Sequence, residues 1–196
     1  MKTTSQNHQA SSIKLCNSEE SLLLVIDIQQ RLTTAMPDDQ SQRMLRNTQI
    51  LLQSAALLKI PVLATEQYPK GLGSTHKELQ QHFTTNTLVF EKTDFSCCAA
   101  NGFMNALLES ARTQIIISGI ETHICVLQTA LQLKAKGFSV FVVEDATCSR
   151  LERHHANALA RMQQHNIEIT NHESVLFEWL GDAAHPDFKF LSSLIR

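Results

Sequence analysis

The stretch Ser118-Gly119-Ile120-Glu121-Thr122-His123-Ile124-Cys125-Val126 joins an apolar run to an apolar-periodic helix, and it decides the predicted fold. The run before it, Ile115-Ile116-Ile117, has no polar alternation, which predicts a strand buried on both faces. Thr122 is a candidate N-cap, so we expect Cys125 in the first turn of the helix that follows this strand. The apolar face of that helix is supplied by Leu127, Ala130, Leu131 and Ala135.

The position of Cys125 favours a catalytic role. The start of a helix carries backbone N–H groups without partners and a partial positive charge, which together stabilise a thiolate. We therefore expect a lowered pKa for Cys125, because the thiolate is the nucleophilic form of cysteine. The alternative is a cysteine that only packs in the core.

The composition of the 196 residues is that of an ordinary globular protein, with 43% hydrophobic and 18% charged residues. The net charge of −2 gives no strong field for nucleic acid or an anionic membrane, and no apolar run approaches the ~20 residues of a membrane span. We expect a small-molecule substrate, no nucleic-acid partner and no membrane partner. Five scattered cysteines, with no CxxC pair, indicate a reducing, cytoplasmic location. Residues 1–19 are expected to form a flexible extension, and residues 20–196 a single domain.

Six short apolar runs alternate with helical patterns along the chain. This alternation predicts an α/β fold with three layers, Rossmann-like, in which helices cover both faces of a six-stranded parallel sheet. A strand order of 3-2-1-4-5-6 would bring the first and fourth strands together, where ligands bind at the carboxyl ends. The strands are expected at about 22–26, 61–64, 88–90, 115–117, 139–143 and 167–169.

Three chemically active side chains follow these strands: Asp27 after the first, Lys92 after the third and Cys125 after the fourth. Together they would form a nucleophile, a charge that stabilises it and a base that moves its proton. Backbone N–H groups at the helix start would hold an oxyanion. Taken singly, Asp27 and Lys92 are more often caps or surface charges, so their joint occurrence carries the prediction.

The sequence resembles the isochorismatase-like cysteine hydrolase family over about residues 20 to 180. The resemblance lies in Leu-Val-Ile-Asp-Ile-Gln at 24–29, Glu-Lys-Thr-Asp-Phe-Ser at 91–96 and Gly-Ile-Glu-Thr-His-Ile-Cys-Val at 119–126. The block from Glu144-Asp145-Ala146 to Ser149-Arg150 also fits. Within the family, Thr65 to Gly73 is similar to the isochorismatase-domain-containing subgroup.

The resemblance implies a catalytic triad of Asp27, Lys92 and Cys125, and a cis peptide bond between Ile120 and Glu121 that points amides into the oxyanion site. It also implies a homo-oligomer, a dimer or larger. Nicotinamidases of the family hold a metal through an Asp-x-His after the second strand, where this chain has Glu66, Gln67 and Tyr68. We therefore expect no metal and no cofactor.

The expected function is metal-independent hydrolysis of a small amide, ester or imide-like substrate through an acyl-enzyme on Cys125. A binding or regulatory protein with a vestigial pocket is one alternative, and hydrolysis of a vinyl ether, as in isochorismate, is another. Redox sensing by Cys125 is a weaker possibility without an evident resolving cysteine. A dinucleotide-dependent dehydrogenase is disfavoured because the turn after the first strand has no GxGxxG.

Four further residues are candidates for the substrate pocket: Gln67, Tyr68, Phe95 and Thr122. The adjacent His154 and His155 are expected to be a solvated pair on a helix, since neighbours in sequence do not share a face. Core packing is the expected role of the remaining cysteines near the site, Cys97, Cys98 and Cys148.

Overall fold

A six-stranded parallel sheet forms the centre of the computed structural model, which describes residues 15–195. Its strand order, β3-β2-β1-β4-β5-β6, confirms the predicted fold class and topology. The strands are β1 (Ser21–Ile26), β2 (Val62–Gln67), β3 (Leu88–Lys92), β4 (Gln114–Ile120), β5 (Ser139–Cys148) and β6 (Glu168–Thr170).

Nine α-helices lie within the described part of the chain, and four of them have six residues or fewer. No helix within residues 15–195 is both long and apolar enough to span a membrane. The helices are α1 (Gln30–Thr33), α2 (Asp38–Leu57), α3 (Pro69–Leu72), α4 (Lys77–Gln80), α5 (Phe103–Glu109), α6 (Leu127–Ala135), α7 (Glu152–Gln164), α8 (His172–Leu180) and α9 (Phe188–Ser193).

Both faces of the sheet are covered, because successive side chains of each strand point to opposite sides. On one face, Leu23 and Val25 of β1 pack in a cluster with residues of α2 and α8. On the other face, Leu22, Leu24 and Ile26 pack with residues of α5, α6 and α7. Every residue of β1 is buried, which explains its unbroken apolar sequence.

Several strands extend beyond their predicted ends, and the extensions of β2 and β5 lead polar residues to the carboxyl edge of the sheet. Polar residues at the end of β2 pair in register with β3, so that Gln67 lies opposite Lys92 rather than in a loop. Similarly, β5 continues past a bulge to pair Cys148 with Ile120. Apolar runs alone cannot predict these extensions, since the added residues are largely polar.

The turn that carries Cys125 differs from the prediction. Residues Thr122–Val126 form a π-helical turn, and α6 begins only at Leu127. The N-cap residue is Glu121, and no side chain caps the turn, so the predicted N-cap role of Thr122 is wrong. The hydroxyl of Thr122 instead bonds to an imidazole on α7.

The packed structure begins before the predicted boundary at residue 19. The backbone N–H of Cys16 donates to Glu178 Oε2 at 2.7 Å, and that of Asn17 donates to Gln114 Oε1 at 2.7 Å. Residues 1–14 of the predicted extension lie outside the described residues.

Candidate active site

The three predicted catalytic side chains lie at the carboxyl edge of the sheet. Asp27 directly follows β1, Lys92 ends β3, and Cys125 lies in the π-helical turn after β4. Because β1 pairs with both β2 and β4, the segments that carry Asp27 and Cys125 leave neighbouring strands. The long Lys92 side chain reaches them from the edge strand, across the end of β2.

Asp27 and Lys92 form a buried ion pair. Lys92 Nζ lies 2.6 Å from Asp27 Oδ2, and neither side chain has solvent exposure. The other carboxylate oxygen, Oδ1, accepts a hydrogen bond of 2.7 Å from Thr65 Oγ1. Asp27 itself has a φ of 52°, in the left-handed region that is uncommon for residues other than glycine. The backbone and two donors thus fix the orientation of this carboxylate.

Acceptors surround the ammonium group of Lys92. Besides Asp27, it donates to Gln67 Oε1 at 2.6 Å and to the carbonyl oxygens of Asp94 and Phe95 at 3.2 Å each. Burial alone would lower the pKa of Lys92, but the charge and hydrogen bond of the Asp27 carboxylate, with smaller contributions from the neighbouring Cys97 and Cys125, outweigh it and raise the pKa. Lys92 is therefore held as a fixed ammonium group.

Cys125 is buried, with 6% exposure, and its thiol interacts electrostatically with both members of this ion pair, Asp27 and Lys92. Burial raises the pKa of Cys125, and so does the negative charge of Asp27, whereas the positive charge of Lys92 lowers it only partly. The expected lowered pKa is therefore wrong for the free protein. Desolvation and a neighbouring carboxylate outweigh the effect of the turn, and the group is a thiol next to a base.

The turn before Cys125 has the backbone geometry that the family resemblance implies. The peptide bond between Ile120 and Glu121 is cis. Ile120 is fully buried, and the Glu121 carboxylate accepts hydrogen bonds from the backbone N–H and Nε of Arg150 at 3.1 to 3.2 Å. Thr122 Oγ1 lies 2.9 Å from His155 Nδ1.

The four residues predicted for the substrate pocket lie in different environments. Tyr68 and Phe95 are each 54% exposed, and Tyr68 lines a cavity of about 360 Å³ together with Lys70, Thr93 and Asn101. Lys92 also lines that cavity, whereas Cys125 is not among its lining residues.

Gln67 and Thr122 do not present free side chains to a pocket. The Gln67 amide is engaged at both ends, because Oε1 accepts from Lys92 and Nε2 donates to the Thr93 carbonyl oxygen at 2.7 Å. Thr122 has no solvent exposure. Both side chains support the site in this structure, and their contact with a substrate stays a prediction.

Sequence analysis overlooked Gln29, which is fully buried after β1. Its Oε1 accepts from the Gln67 backbone N–H at 2.7 Å, and its Nε2 donates to the carbonyl oxygens of Gln67 and Gly73 at 3.0 and 2.5 Å. It ties the end of β2 to the following loop and so supports the partner of Lys92. A polar residue two positions after the strand-end Asp27 was the available signal.

His155 differs from its predicted environment, and Cys97 combines its predicted packing role with a position close to the site. His155 is buried, with 6% exposure, rather than solvated, and burial lowers its pKa, with Glu152 raising it and Arg43 lowering it further. Cys97 packs in the core as expected, but its sulfur lies 3.6 Å from Thr65 Oγ1, within the electrostatic range of Asp27 and Lys92. Burial and the charge of Asp27 raise the pKa of Cys97 to about 12.

The side chains near the site do not form an evident metal centre. Within residues 15–195, no three His, Cys, Asp or Glu side chains gather as metal ligands would. Glu66, near the end of β2 in the region where nicotinamidases of the family carry metal ligands, accepts hydrogen bonds from the backbone N–H and hydroxyl of Thr75 at 2.6 and 2.8 Å.

The fold and the site place this chain in a known family. Residues 21–174 match the isochorismatase domain, and the chain belongs to the isochorismatase family. Isochorismatase family protein 1B of Dictyostelium discoideum is 36% identical over 182 residues, which cover 91% of this chain and 87% of that protein. Isochorismatase domain-containing protein 1 of Salmo salar is 42% identical over 148 residues, 76% of this chain. This chain spans about half the length of the fish relatives, with 52% of each covered.

Solved structures share the fold. The MAR1 ribonuclease of Caenorhabditis elegans superposes with a TM-score of 0.87 at 34% identity, over 93% of this chain and 92% of that one. The YcaC gene product of Escherichia coli, an octameric hydrolase of unknown specificity, gives a TM-score of 0.84 at 24% identity, over 91% and 88% of the two chains.

Proposed function

We propose that this protein hydrolyses a small amide-, ester- or imide-like substrate through a covalent acyl-enzyme on Cys125. One observation carries the proposal: the buried thiol of Cys125 interacts electrostatically with the Asp27 carboxylate, which forms a buried ion pair with Lys92 at 2.6 Å. A nucleophile, a base and a fixed positive charge within one crevice are what acyl transfer at a cysteine requires.

In the acylation step, the Asp27 carboxylate takes the proton of the Cys125 thiol as sulfur attacks the carbonyl carbon. The new S–C bond gives a tetrahedral intermediate with a negative oxygen, and the amides of the turn after Ile120 stabilise it. Collapse breaks the bond to the leaving group, which receives the proton held by Asp27. An amine or alcohol leaves, and a thioester on Cys125 remains.

In the second step, water attacks the thioester while Asp27 accepts one of its protons. Collapse of the second intermediate breaks the S–C bond and releases the carboxylic acid, and the proton on Asp27 returns to sulfur. Lys92 stays protonated throughout, since its ammonium is surrounded by acceptors. Its role is to stabilise the negative charge that moves between Asp27 and Cys125.

A thiol with a raised pKa suits this mechanism, because base and nucleophile act as one unit. The thiolate forms as the proton moves to Asp27 during attack, rather than before substrate binds. This differs from cysteine enzymes that hold a stable thiolate and histidinium pair.

RNA is the competing substrate class, because the C. elegans relative at 34% identity is a ribonuclease. Two features of this chain favour a small substrate. Its net charge of −2 supplies no positive field for a polyanion, and the thiol is enclosed with 6% exposure. We further propose that the protein is cytoplasmic and forms a homo-oligomer.

The test is a panel of amides, activated esters and cyclic imides, with single-stranded RNA as a separate arm. The wild type is compared with Cys125→Ala and, as a matched control, with Cys148→Ala, a buried cysteine on β5. We expect turnover that Cys125→Ala loses and Cys148→Ala keeps, together with an acyl adduct on Cys125 by intact mass. Turnover retained by Cys125→Ala would refute the mechanism. RNA cleavage without small-substrate hydrolysis would refute the substrate class.

A lack of any turnover above the Cys125→Ala background would instead favour a binding protein with a vestigial pocket. Hydrolysis of isochorismate that Cys125→Ala retains would favour vinyl ether cleavage.

A further inference from the structure

Three consecutive side chains of the turn before Cys125 are hydrogen-bonded to the segment from the end of β5 to α7. These contacts join Glu121 to Arg150 at 3.1 Å, Thr122 to His155 at 2.9 Å and His123 to Ser149 at 3.0 Å. The turn is therefore attached along its length to a single neighbouring segment, which we name the α7 support (residues 149–155).

The contact between Thr122 and His155 differs from the other two because both partners are enclosed. Thr122 has no exposure and His155 has 6%, whereas the side chain of Arg150 is 58% exposed. A buried hydrogen bond is shielded from competing water, and its loss leaves a buried polar atom without a partner. Among the three contacts, this one therefore constrains the turn most strongly.

The place of Thr122 in the turn connects this contact to the nucleophile. Thr122 is the first residue of the π-helical turn, and Cys125 lies within the same turn. On the strand side, Ile120 is fixed by its pairing with Cys148 of β5. The rotation of the turn about its axis, and hence the direction of the Cys125 sulfur, is then set on its other side by the bond from Thr122 to His155.

We infer that His155 is a positioning residue for Cys125, acting through the hydroxyl of Thr122. The inference rests on the proposed function, since it assumes that Cys125 is the nucleophile. Burial lowers the pKa of His155, which keeps the imidazole neutral near pH 7. The neutral ring then forms one hydrogen bond with the Thr122 hydroxyl through Nδ1. Displacement of a nucleophile by about 1 Å is enough to slow attack by up to about 100-fold.

The test measures the second-order rate of Cys125 alkylation by iodoacetamide, with the modified site mapped by mass spectrometry. This measurement needs no substrate. All variants carry Cys98→Ser, since Cys98 is the least buried cysteine. His155→Phe and Thr122→Val remove the hydrogen bond and keep a similar shape, while His155→Asn and Thr122→Ser keep a hydrogen-bonding group.

We expect His155→Phe and Thr122→Val to slow alkylation at least about fivefold, and His155→Asn and Thr122→Ser to stay within about twofold of the parent. His165→Phe, at an exposed histidine directly after α7, is the matched control and should leave the rate unchanged. A structural role alone would lower the melting temperature without this rescue pattern. If His155→Phe does not fold, the alkylation rate of Thr122→Val decides the test, because this change only replaces a hydroxyl by a methyl group.

Two failures are distinguishable. If Cys125→Ala keeps the turnover of the substrate panel, the nucleophile is misassigned and the proposed function falls. If Cys125→Ala loses turnover but Thr122→Val labels Cys125 as fast as the parent does, only the positioning role of His155 is overturned.

Discussion

Lys92 Nζ and Asp27 Oδ2 lie 2.6 Å apart, although 65 residues separate them in the chain and neither side chain is exposed to solvent. A buried pair of this kind is weak evidence for stability as such, because desolvation of both charges offsets their attraction. Removal of one partner, by contrast, destabilises the protein, since it leaves the other charge buried and unpaired.

Lys92→Met should therefore unfold at clearly lower urea concentration, with a free energy of unfolding reduced by about 3–5 kcal/mol. The double variant Asp27→Asn with Lys92→Met should recover part of that loss, since no buried charge remains. Urea denaturation followed by circular dichroism measures both. A single variant as stable as the wild type would show that water reaches Asp27 in solution.

The raised pKa of Cys125 predicts a particular pH dependence. Below its pKa, the thiolate fraction rises about tenfold per pH unit, so alkylation by iodoacetamide should rise at that slope from about pH 6.5 to about pH 8.5 without a plateau. The rate is measured at the mapped site in the Cys98→Ser background. A plateau below about pH 8 would show a lowered pKa, and hence a preformed thiolate.

Gln29→Met should destabilise the region around the site without changing any of the three predicted catalytic side chains. The change leaves one backbone N–H and two carbonyl oxygens without the partner that Gln29 now supplies, at about 1–3 kcal/mol for a buried group. We expect a lower melting temperature and reduced turnover. Gln30→Met, at the exposed neighbouring position, is the control. Equal melting temperatures for the two variants would argue against the network.

Gly119→Ala should be strongly destabilising. Gly119 lies opposite Ile26 in the sheet with a φ of 141°, and a Cβ there would be 2.3 Å from the Ile26 carbonyl oxygen. We expect a loss of more than about 2 kcal/mol in unfolding free energy, from overpacking and backbone strain together.

Gly137→Ala is the comparison for Gly119, because Gly137 also has a positive φ, 93°, but no atom within 4 Å of an added Cβ. Gly137→Ala should lower the free energy of unfolding only by the cost of a positive φ for alanine, about 1–2 kcal/mol. If the two variants are equally stable, close approach of β1 and β4 is not what requires Gly119.

Turnover, once a substrate is found, should be insensitive to a chelator. The reason is the donor set: Glu66 is engaged by Thr75, and no three candidate ligands gather within residues 15–195. Activity is measured before and after EDTA dialysis. A loss that added Zn²⁺ restores would contradict this expectation.

The fold was predictable because its central strands, β1 and β4, are buried on both faces, which requires unbroken apolar runs such as Leu22 to Ile26. The predicted strand order placed the ends of β1 and β3 at the same edge of the sheet. Asp27 and Lys92, which lie at these ends, are in contact in the structure. The protonation of Cys125 was not predictable in the same way. Local position favoured a thiolate, but burial and the distant Asp27 determine the pKa, and neither is encoded near Cys125 in the sequence.

The supporting residues were missed for a related reason. Gln29, Thr65 and His155 act through hydrogen bonds to residues 33 to 44 positions away, and no periodicity marks such contacts. His155 appeared solvated because its neighbour His154 shares a polar helix with it. Only the packing of α7 against the turn reveals which of the two faces inward.

The parallel pairing of β1 with β4 has a consequence for how this protein folds. Ser21 meets Gln114 across 93 positions of sequence, so a large loop must close before the central pair of strands can form. Such high contact order makes for slow folding, because chain entropy is lost long before the contacts that repay it exist. Reactivity at Cys125 should consequently emerge last during refolding, after most helical signal has returned.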